Sequence, residues 1–296
     1  MPTDPSFSIL YGDLKAGKTS DVLSTFPAAI YIAAPGALAP AESLWGFEVP
    51  KRHDLETFRD IRTFGEKLPQ GSTIGLVIDD ATLIADRTAI YYRDVKGLSG
   101  WDVWGAVVGA AVRMRDSLRR RGFHIVMTCH AAGPYVEQGV RQKGGPSFQG
   151  QARKKLPAAA DFLLRAEARS GPGFFWPMVY RTAPHSDWLQ GSRYDTPDMS
   201  PMNLGEILRL AGFTVPRLRG FEWQEQIAAA LADRLLAGPG LGNMEHVKAS
   251  LARVYEYALA KFSKDERHVT WAARDGYDRA VLRMAQIAHR SAVRGF

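Results

Sequence analysis

The sequence predicts an α/β fold in which a mostly parallel central sheet is covered by crossover helices. Over the first two thirds of the 296 residues, short apolar runs alternate with longer amphipathic stretches, as in βαβ units. From Phe221 onward the pattern is helical only, with apolar residues repeating at helical spacing. We therefore expect an α/β domain over residues 1–215 and a C-terminal helical domain over residues 216–296.

Six apolar runs have the length and the flanking residues of buried strands. They cover residues 6–11, 29–33, 74–78, 124–129, 162–166 and 175–181. Amphipathic spacing predicts helices at residues 18–25, 55–67, 101–120 and 204–211, and three more after residue 221. Because connections between parallel strands are right-handed, we expect helices on both faces of the sheet.

The composition is that of an ordinary globular protein, with 46% apolar and 23% charged residues. No apolar run approaches the roughly 18 residues that cross a bilayer, and the first ten residues do not resemble a signal peptide. Cys129 is the single cysteine, so a disulfide within the chain and a cysteine-rich metal site are both excluded. We expect a cytoplasmic protein without a membrane partner.

The net charge of +7 and the pI near 9.5 favour a polyanionic partner. The basic residues are grouped rather than evenly spread, at residues 113–121, 141–143 and 153–155. Grouped Lys and Arg side chains release counterions from a phosphate backbone, so nucleic acid is an expected partner. Plain solubility is the alternative that charge alone leaves open.

Residues 12–19 read GDLKAGKT, which matches the phosphate-binding pattern GxxxxGK[ST]. An apolar strand precedes this loop and a helix follows it, so backbone amides at a helix N-terminus would face the phosphates. Lys15 adds a second cation to the loop, for which a phosphate contact and simple solvation both remain open. The residues expected to bind a nucleoside triphosphate are Gly12, Asp13, Leu14, Lys15, Ala16, Gly17, Lys18, Thr19 and Ser20.

Several of these loop residues have distinct expected roles. Gly12 and Gly17 would let the backbone wrap closely around phosphate oxygens. Lys18 would neutralise charge between the β- and γ-phosphates, and the Thr19 hydroxyl would ligate Mg²⁺. Ser20 would assist near the α-phosphate. The expected cofactors are ATP and Mg²⁺, although no base-reading motif separates ATP from GTP.

Polar side chains end the next predicted strands. The run STIGLVIDD, residues 72–80, supplies Asp79 as the expected magnesium ligand and Asp80 as the candidate that polarises the attacking water. A solvated acidic turn after a buried strand is the structural alternative. The run GFHIVMTCH ends in Thr128 and His130, which should emerge beside the γ-phosphate at the carboxyl edge of the sheet. His130 could there sense hydrolysis.

In this order, GDLKAGKT, LVIDD, a helix beginning WDVWGAV, HIVMTCH and a basic Gly-rich loop resemble the RecA-like ATPases encoded by many bacteriophages. The resemblance covers about residues 6–212. It implies a RecA-like P-loop core and ATP-dependent handling of single-stranded DNA in recombination or annealing. It also implies a ring or filament of identical subunits in the host cytoplasm, with a phage or host replication or recombination protein as a further partner.

Residues 131–157 are rich in Gly, Pro and Gln, and we expect them to form a long loop. By the resemblance, this segment corresponds to the DNA-facing loop of RecA-type cores. Tyr135 and Phe148 are then candidates for base stacking. A basic surface loop without DNA is the alternative. The expected contacts to DNA phosphates are Arg141, Lys143, Arg153, Lys154 and Lys155.

The resemblance also bears on catalysis. The segment GSRYDTP, residues 191–197, is similar to the turn after the last strand of such ATPases, which implies that Arg193 reaches a neighbour's γ-phosphate. RecA proteins carry a catalytic glutamate after the second strand, where this sequence has Pro35. Either Asp80 supplies the base or hydrolysis is slow, and nothing defines the direction of nearby Glu42. The expected catalytic residues are Lys18, Asp80, His130 and Arg193.

Two other functions remain open. A motor, loader or packaging ATPase could bind a protein partner through the C-terminal helices, which resemble no known family. A non-hydrolysing nucleotide switch is the other, and it is suggested by Pro35.

Overall fold

The computed structural model describes residues 4–13, 16–26, 29–34, 36–38, 51–69, 75–168, 178–194, 196, 199–201, 204–215, 222–239 and 241–262, with residues 273, 276, 277, 280 and 284. The strands are β1 (Phe7–Gly12), β2 (Ile30–Ala33), β3 (Arg52–His53), β4 (Gly75–Asp79), β5 (His124–Ala132), β6 (Tyr135–Glu137), β7 (Val140–Gln142), β8 (Gly145–Pro146), β9 (Phe162–Ala168), β10 (Met178–Arg181), β11 (Gly191–Ser192) and β12 (Met199–Pro201). The helices are α1 (Lys18–Thr25), α2 (Phe58–Glu66), α3 (Ala81–Ile90), α4 (Gly100–Arg120), α5 (Ala152–Ala159), α6 (Leu204–Leu210), α7 (Glu222–Ala237) and α8 (Met244–Phe262).

One large sheet, with strand order β12-β10-β9-β1-β5-β4-β2-β3, forms the centre of the fold. Its six strands from β9 to β3 run parallel to one another. The strands β10 and β12 are antiparallel additions at one edge, and the short strands β8 and β11 pair antiparallel with β5 and β9. The expected α/β fold with a mostly parallel sheet is therefore confirmed.

Both faces of this sheet are buried, because successive residues of a strand point to opposite sides. From β1, Phe7, Ile9 and Tyr11 enter one core, which also contains residues of α2, α3, α4 and α5. Leu10 enters the other core, which contains residues of α1 and α6. The prediction that helices cover both faces is confirmed, and the sheet edge where the strands end is left for polar side chains.

Helix α3 and the turn that follows it were not expected from the sequence. Asp80 caps α3, and a π-helical turn at Tyr91–Val95 extends its last turn. The buried residues of α3 include Ala81, Ala85 and Ala89, so its sequence has little contrast between apolar and polar faces. A search for amphipathic periodicity therefore misses this helix.

The expectation of a long loop over residues 131–157 is wrong. This segment contains the end of β5, a hairpin of β6 and β7, the short strand β8 and the helix α5. Gln138 and Gly139 have positive φ angles of 51° and 79°, which suits the two-residue turns that join hairpin strands. The strands are only three residues long, so no period-two pattern is visible in the sequence.

The helices α7 and α8 pack together through a third core. Ile227, Leu231 and Leu235 of α7 meet Val247 and Val254 of α8. Helical residues from the predicted third helix complete this core with Ala273, Tyr277 and Ala280. The expected domain boundary near residue 216 lies outside the described residues. In the described part of the chain, no helix is long and apolar enough to cross a membrane.

Candidate functional site

The glycine-rich loop joins β1 to α1, with α1 beginning at the expected residue. Gly17 has a φ of 79° immediately before the helix, which is the left-handed conformation that favours glycine. A Cβ at Gly12 would lie 2.6 Å from the carbonyl oxygen of Ala166 on β9. The contact with the neighbouring strand therefore explains Gly12 without any ligand. Leu14 and Lys15 lie outside the described residues.

The first turn of α1 points its backbone amides toward this loop. Gly17 precedes the helix and has no side chain that could accept from these amides. The first amides of a helix have no acceptor within the helix, so they are free for an anion. Ser20 belongs to this turn, Ala16 is buried beneath it, and Asp13 is exposed at the loop surface.

Lys18 is buried, and its ammonium group is held inside the loop. The Nζ atom donates hydrogen bonds to the carbonyl oxygens of Gly12 at 3.0 Å and Asp13 at 2.8 Å. Burial lowers the pKa of Lys18, and the nearby carboxylate of Asp79 opposes that change. The ammonium is thus positioned beside the amides of α1, where a phosphate oxygen could replace a carbonyl as acceptor.

Asp79 receives hydrogen bonds from two threonines at the end of β4. Its Oδ2 accepts from Thr19 Oγ1 at 2.6 Å, and its Oδ1 accepts from the hydroxyl of Thr128. Burial raises the pKa of Asp79, while both hydroxyl bonds act in the opposite direction. The structure therefore brings Thr19 and Asp79 together as the sequence motif requires, and their role as metal ligands stays a prediction.

The sheet order explains how Thr128 reaches Asp79. Strand β5 lies between β1 and β4, and its Thr128 pairs with Leu10 of β1. The hydroxyl of Thr128 is therefore placed between the glycine-rich loop and the acidic strand end. The sequence placed Thr128 at this edge without assigning its partner, because the order of the strands decides which side chains meet.

Asp80 and His130 form a pair at the same edge. Asp80 Oδ1 accepts a hydrogen bond from the amide of Thr82 at 2.5 Å, so this carboxylate caps α3. Asp80 Oδ2 lies 2.7 Å from His130 Nε2. The Nδ1 atom of His130 is buried and has no hydrogen-bond partner among the described residues. With a proton on Nε2, the neutral ring carries its free lone pair on Nδ1.

These side chains fit a magnesium nucleotide by their chemistry. Mg²⁺ prefers oxygen ligands and is commonly bound through one or two carboxylates together with substrate phosphates. Asp79, Asp80 and the two threonine hydroxyls supply such oxygens. In the part of the chain that the structure describes, no group of three or more His, Cys, Asp or Glu residues is arranged to hold a metal ion by itself. Cys129 is buried and its pKa is raised by burial, which disfavours a thiolate ligand.

Arg193 lies at the opposite edge of the sheet. Its guanidinium is 3.6 Å from Asp161 Oδ1 and donates to the carbonyl oxygen of Ala158 at 3.0 Å. Asp161 precedes the first residue of β9, whereas Gly12 is level with Ala166 near the other end of that strand. Arg193 therefore does not join the site of its own chain, and its contact with a neighbour's nucleotide stays a prediction.

The basic residues expected to contact DNA lie on the hairpin and on α5. Arg141 pairs with Asp187 at 2.9 Å, and Lys143 donates to the carbonyl oxygen of His185 at 2.6 Å. Lys154 and Lys155 are exposed on α5. Lys155 Nζ also donates to Gln151 Oε1 at 2.6 Å, so four of the five cations have polar or aromatic partners within the chain, namely Arg141, Lys143, Arg153 and Lys155.

The two aromatic candidates for base stacking differ. The guanidinium of Arg153 lies 3.7 Å from the centre of the Tyr135 ring, so one ring face is already covered. Phe148 is only 3% exposed and packs in the core beneath the sheet. The expectation that Phe148 stacks on a base is wrong, because a buried ring cannot reach a ligand without unpacking the core.

Sequence reasoning missed Asp21, which connects α1 to two other elements. Its carboxylate accepts from the hydroxyl of Tyr180 at 2.9 Å and from the amide of Leu204 at 3.0 Å. Asp21 is fully buried. An acidic residue directly before the apolar pair Val22 and Leu23 was the available signal, because a carboxylate on a buried helix face requires partners.

The fold and the site define an α/β protein with a glycine-rich loop at the carboxyl edge of a parallel sheet. No protein-family model matches this sequence, and the search of curated proteins finds no match. Any assignment of function therefore rests on the motif and on the contacts described above.

Proposed function

We propose that this chain is an ATP-dependent, oligomeric, RecA-like P-loop ATPase that handles single-stranded DNA. One observation carries the nucleotide part of the proposal: Thr19 Oγ1 lies 2.6 Å from Asp79 Oδ2 beside the loop that contains Lys18. In P-loop proteins a hydroxyl and a carboxylate in these positions hold the magnesium ion. The residues are far apart in sequence, so the fold, not the motif alone, produces this contact.

Each part of the site has a role in this proposal. The amides at the start of α1 and the ammonium of Lys18 would bind the phosphates. Thr19 and Asp79 would hold Mg²⁺, which, when bound, neutralises negative charge on the transferred phosphoryl group. To meet a phosphate, Lys18 would exchange its bond to Gly12 or Asp13 for one to a phosphate oxygen.

The pair of Asp80 and His130 would orient the attacking water. Both oxygens of Asp80 have a partner: Oδ1 accepts a hydrogen bond from the amide of Thr82, and Oδ2 lies 2.7 Å from His130 Nε2. His130 Nδ1 is the atom of this pair without a partner among the described residues. We therefore propose that Asp80 positions the ring of His130, which is 45% exposed, and that the exposed part of this ring orients the attacking water. Pro35, which stands where RecA proteins carry a catalytic glutamate, and nearby Glu42 lie outside the described residues.

The DNA part of the proposal is supported by the hairpin beside the site. Strand β5 contains both His130 and the start of this segment, and Ser147 returns to donate its amide hydrogen to the carbonyl oxygen of His130 at 2.8 Å. The segment that contains the hairpin thus begins and ends beside His130 of the candidate site. Exposed Lys154 and Lys155 extend the basic surface beside it. This surface would bind a phosphate backbone with an affinity that falls as the salt concentration rises.

A non-hydrolysing nucleotide switch is the second candidate. The contacts at both Asp80 oxygens favour it, because neither oxygen is then free to accept a proton from the attacking water. Such a switch would bind Mg·ATP tightly and turn it over slowly.

ATP hydrolysis with and without single-stranded DNA tests the proposal. Lys18→Ala should abolish turnover, while Lys248→Ala, which changes an exposed lysine on α8, should not. Turnover above about one per minute would count against the switch. Absence of heat on titration with Mg·ATP would reject both candidates, and absence of both DNA stimulation and salt-sensitive DNA binding would reject the recombination role.

A further inference from the structure

The helical face formed by α2, α4 and the turn after α3 contains a second site, which the nucleotide proposal does not use. It is an open cavity of about 220 Å³. We call its polar lining the basic cleft, and none of the acidic residues that the structure describes lines it. The basic cleft consists of Arg59, Arg62, Tyr91, Tyr92, Lys96 and Arg113.

The cations of the basic cleft are poorly neutralised by the protein. Arg62 Nε is 3.4 Å from Glu66 Oε1. Within the described ranges, Arg59, Lys96 and Arg113 have no carboxylate oxygen within 4.0 Å. Like charges that line one cavity repel each other, so this arrangement is unfavourable until an anion enters.

The donors of the basic cleft are positioned rather than freely rotating. Arg59 hydrogen-bonds to the hydroxyl of Tyr91, and its guanidinium carbon is 5.7 Å from the centre of that ring. Lys96 Nζ is 5.9 Å from the same ring centre. Arg62 Nε is buried without a hydrogen-bond partner in the described part of the chain, despite the proximity of Glu66.

The turn that presents the tyrosines is unusual. Tyr91–Val95 is π-helical, and single π-turns occur frequently at functional sites. The rings of Tyr91 and Tyr92 meet edge to face with centres 5.4 Å apart. Helix α3 separates this turn from Asp80 by ten residues, or about 15 Å at the helical rise. The basic cleft is therefore distinct from the candidate nucleotide site.

We propose that the basic cleft binds phosphate groups. The planar guanidinium fork matches phosphate oxygens, and a chain of linked phosphates presents several negative charges to the converging cations. The phosphates belong either to the backbone of single-stranded nucleic acid or to a free polyphosphate. This inference does not depend on ATP hydrolysis by the loop site.

The test uses the full chain with Lys18→Ala, which disables phosphate binding at the glycine-rich loop. Arg59→Ala with Arg113→Ala removes two exposed cleft cations, and alanine is compatible with both helices. Arg253→Ala, an exposed arginine on α8, is the matched control. The two probes are a fluorescein-labelled oligothymidylate and inorganic tripolyphosphate, measured by anisotropy and calorimetry.

We expect the double variant to bind at least one probe about tenfold more weakly than the control. With the oligonucleotide, the slope of log affinity against log salt should fall by about 1.4, at about 0.7 for each lost contact to a single strand. Loss for the oligonucleotide only assigns the cleft to a nucleic-acid backbone, and loss for both probes shows that free phosphate groups suffice. Equal binding of both probes by the double variant and the control overturns the proposal.

Two further variants separate binding from folding. Arg59→Lys with Arg113→Lys keeps the charge and should retain most of the affinity. Circular dichroism on heating should give a midpoint for the double alanine variant that is no lower than that of the control, because the variant has fewer repelling charges. If the alanine variant does not fold, Lys96→Gln, an exposed substitution, must weaken probe binding for the proposal to stand.

Discussion

Asp80 Oδ2 lies 2.7 Å from His130 Nε2 at the carboxyl edge of the sheet, while Asp80 Oδ1 caps the helix that follows it. One carboxylate thus both caps α3 and contacts His130, and substitutions can separate these two roles. Asparagine is as good a helix cap as aspartate, but it carries no charge, whereas alanine provides neither function.

The first prediction uses this difference. Asp80→Asn should leave the free energy of unfolding nearly unchanged, and Asp80→Ala should lower it by about 1 kcal/mol. Both should reduce ATP turnover, by about 10²-fold or more, because the ring of His130 loses its orienting partner. His130→Ala combined with Asp80→Asn should be no worse than either alone, since the pair acts as a unit. Additive losses in steady-state kinetics would show that the two residues act independently.

The second prediction concerns Asp79→Asn. Burial raises the pKa of Asp79 in the folded chain, so the ionised carboxylate weakens the fold. The protonated carboxyl of Asp79 stabilises the folded chain fully at a pH below its pKa in the unfolded chain. This stabilisation is lost as pH rises through its pKa in the folded chain. Asp79→Asn should therefore increase the free energy of unfolding at neutral pH, while removing the magnesium dependence of nucleotide binding.

Urea denaturation without nucleotide or Mg²⁺ measures this effect. The advantage of Asp79→Asn over the parent chain should shrink as pH falls toward the unfolded pKa. A variant less stable than its parent at pH 7 would contradict the proposed cost of the buried charge.

The third prediction concerns acid sensitivity at the other end of β5. His124 is buried, its Nδ1 accepts from the amide of Ser6 at 3.1 Å, and its Nε2 lies 3.0 Å from the carbonyl oxygen of Thr214. Burial lowers the pKa of His124 to about 4. In the unfolded chain His124 becomes protonated near pH 6.5. The contribution of the neutral His124 ring to the free energy of unfolding is therefore complete above that pH and is lost as pH falls toward 4.

His124→Gln should reduce this loss. Between pH 7.5 and pH 4.5 the parent chain should lose up to about 3 kcal/mol more stability than the variant, at about 1.4 kcal/mol per pKa unit. Chemical denaturation at the two pH values gives the comparison. Parallel stability profiles for the two chains would rule out His124 as a source of acid sensitivity.

The fourth prediction separates surface contacts from core packing in residues 131–157. Lys154→Ala with Lys155→Ala should lower the salt slope of single-stranded DNA binding by about 1.4. Phe148→Ala should instead lower the free energy of unfolding by about 3–5 kcal/mol, because it empties a packed position. Anisotropy at several salt concentrations distinguishes them, and an unchanged slope in the lysine variant would place the DNA elsewhere.

Much of the fold could be predicted from local sequence. The parallel strands are buried on both faces, so each is a short apolar run. The predicted bounds of β2 differ from those observed by one residue at one end, and the bounds of β1 and β4 are shifted by one residue at both ends. Helix α1 has the predicted bounds because the glycine and lysine before it mark its start. Helix α3 and the β6–β7 hairpin have no such pattern, and tertiary packing determines them.

The candidate site divides in the same way. The loop motif and the acidic strand end predicted that Thr19 and Asp79 would meet, since both follow from one recurring arrangement. The contact between Asp80 and His130 depends on how Asp80, which caps α3, is oriented toward the end of β5. No spacing in the sequence reveals this orientation. Arg193 was placed by resemblance alone, and the turn that contains it folds back on the start of β9.

Asp21 has a mechanical consequence for the glycine-rich loop. Because its carboxylate binds both Tyr180 and the amide of Leu204, α1 is tied to the antiparallel edge of the sheet and to the start of α6. A displacement of α1 would therefore move Tyr180 and Leu204 as well as the loop. If the glycine-rich loop closes around a ligand, the same movement of α1 would displace Tyr180 at the antiparallel edge. We therefore expect ligand binding to reduce the mobility of both regions.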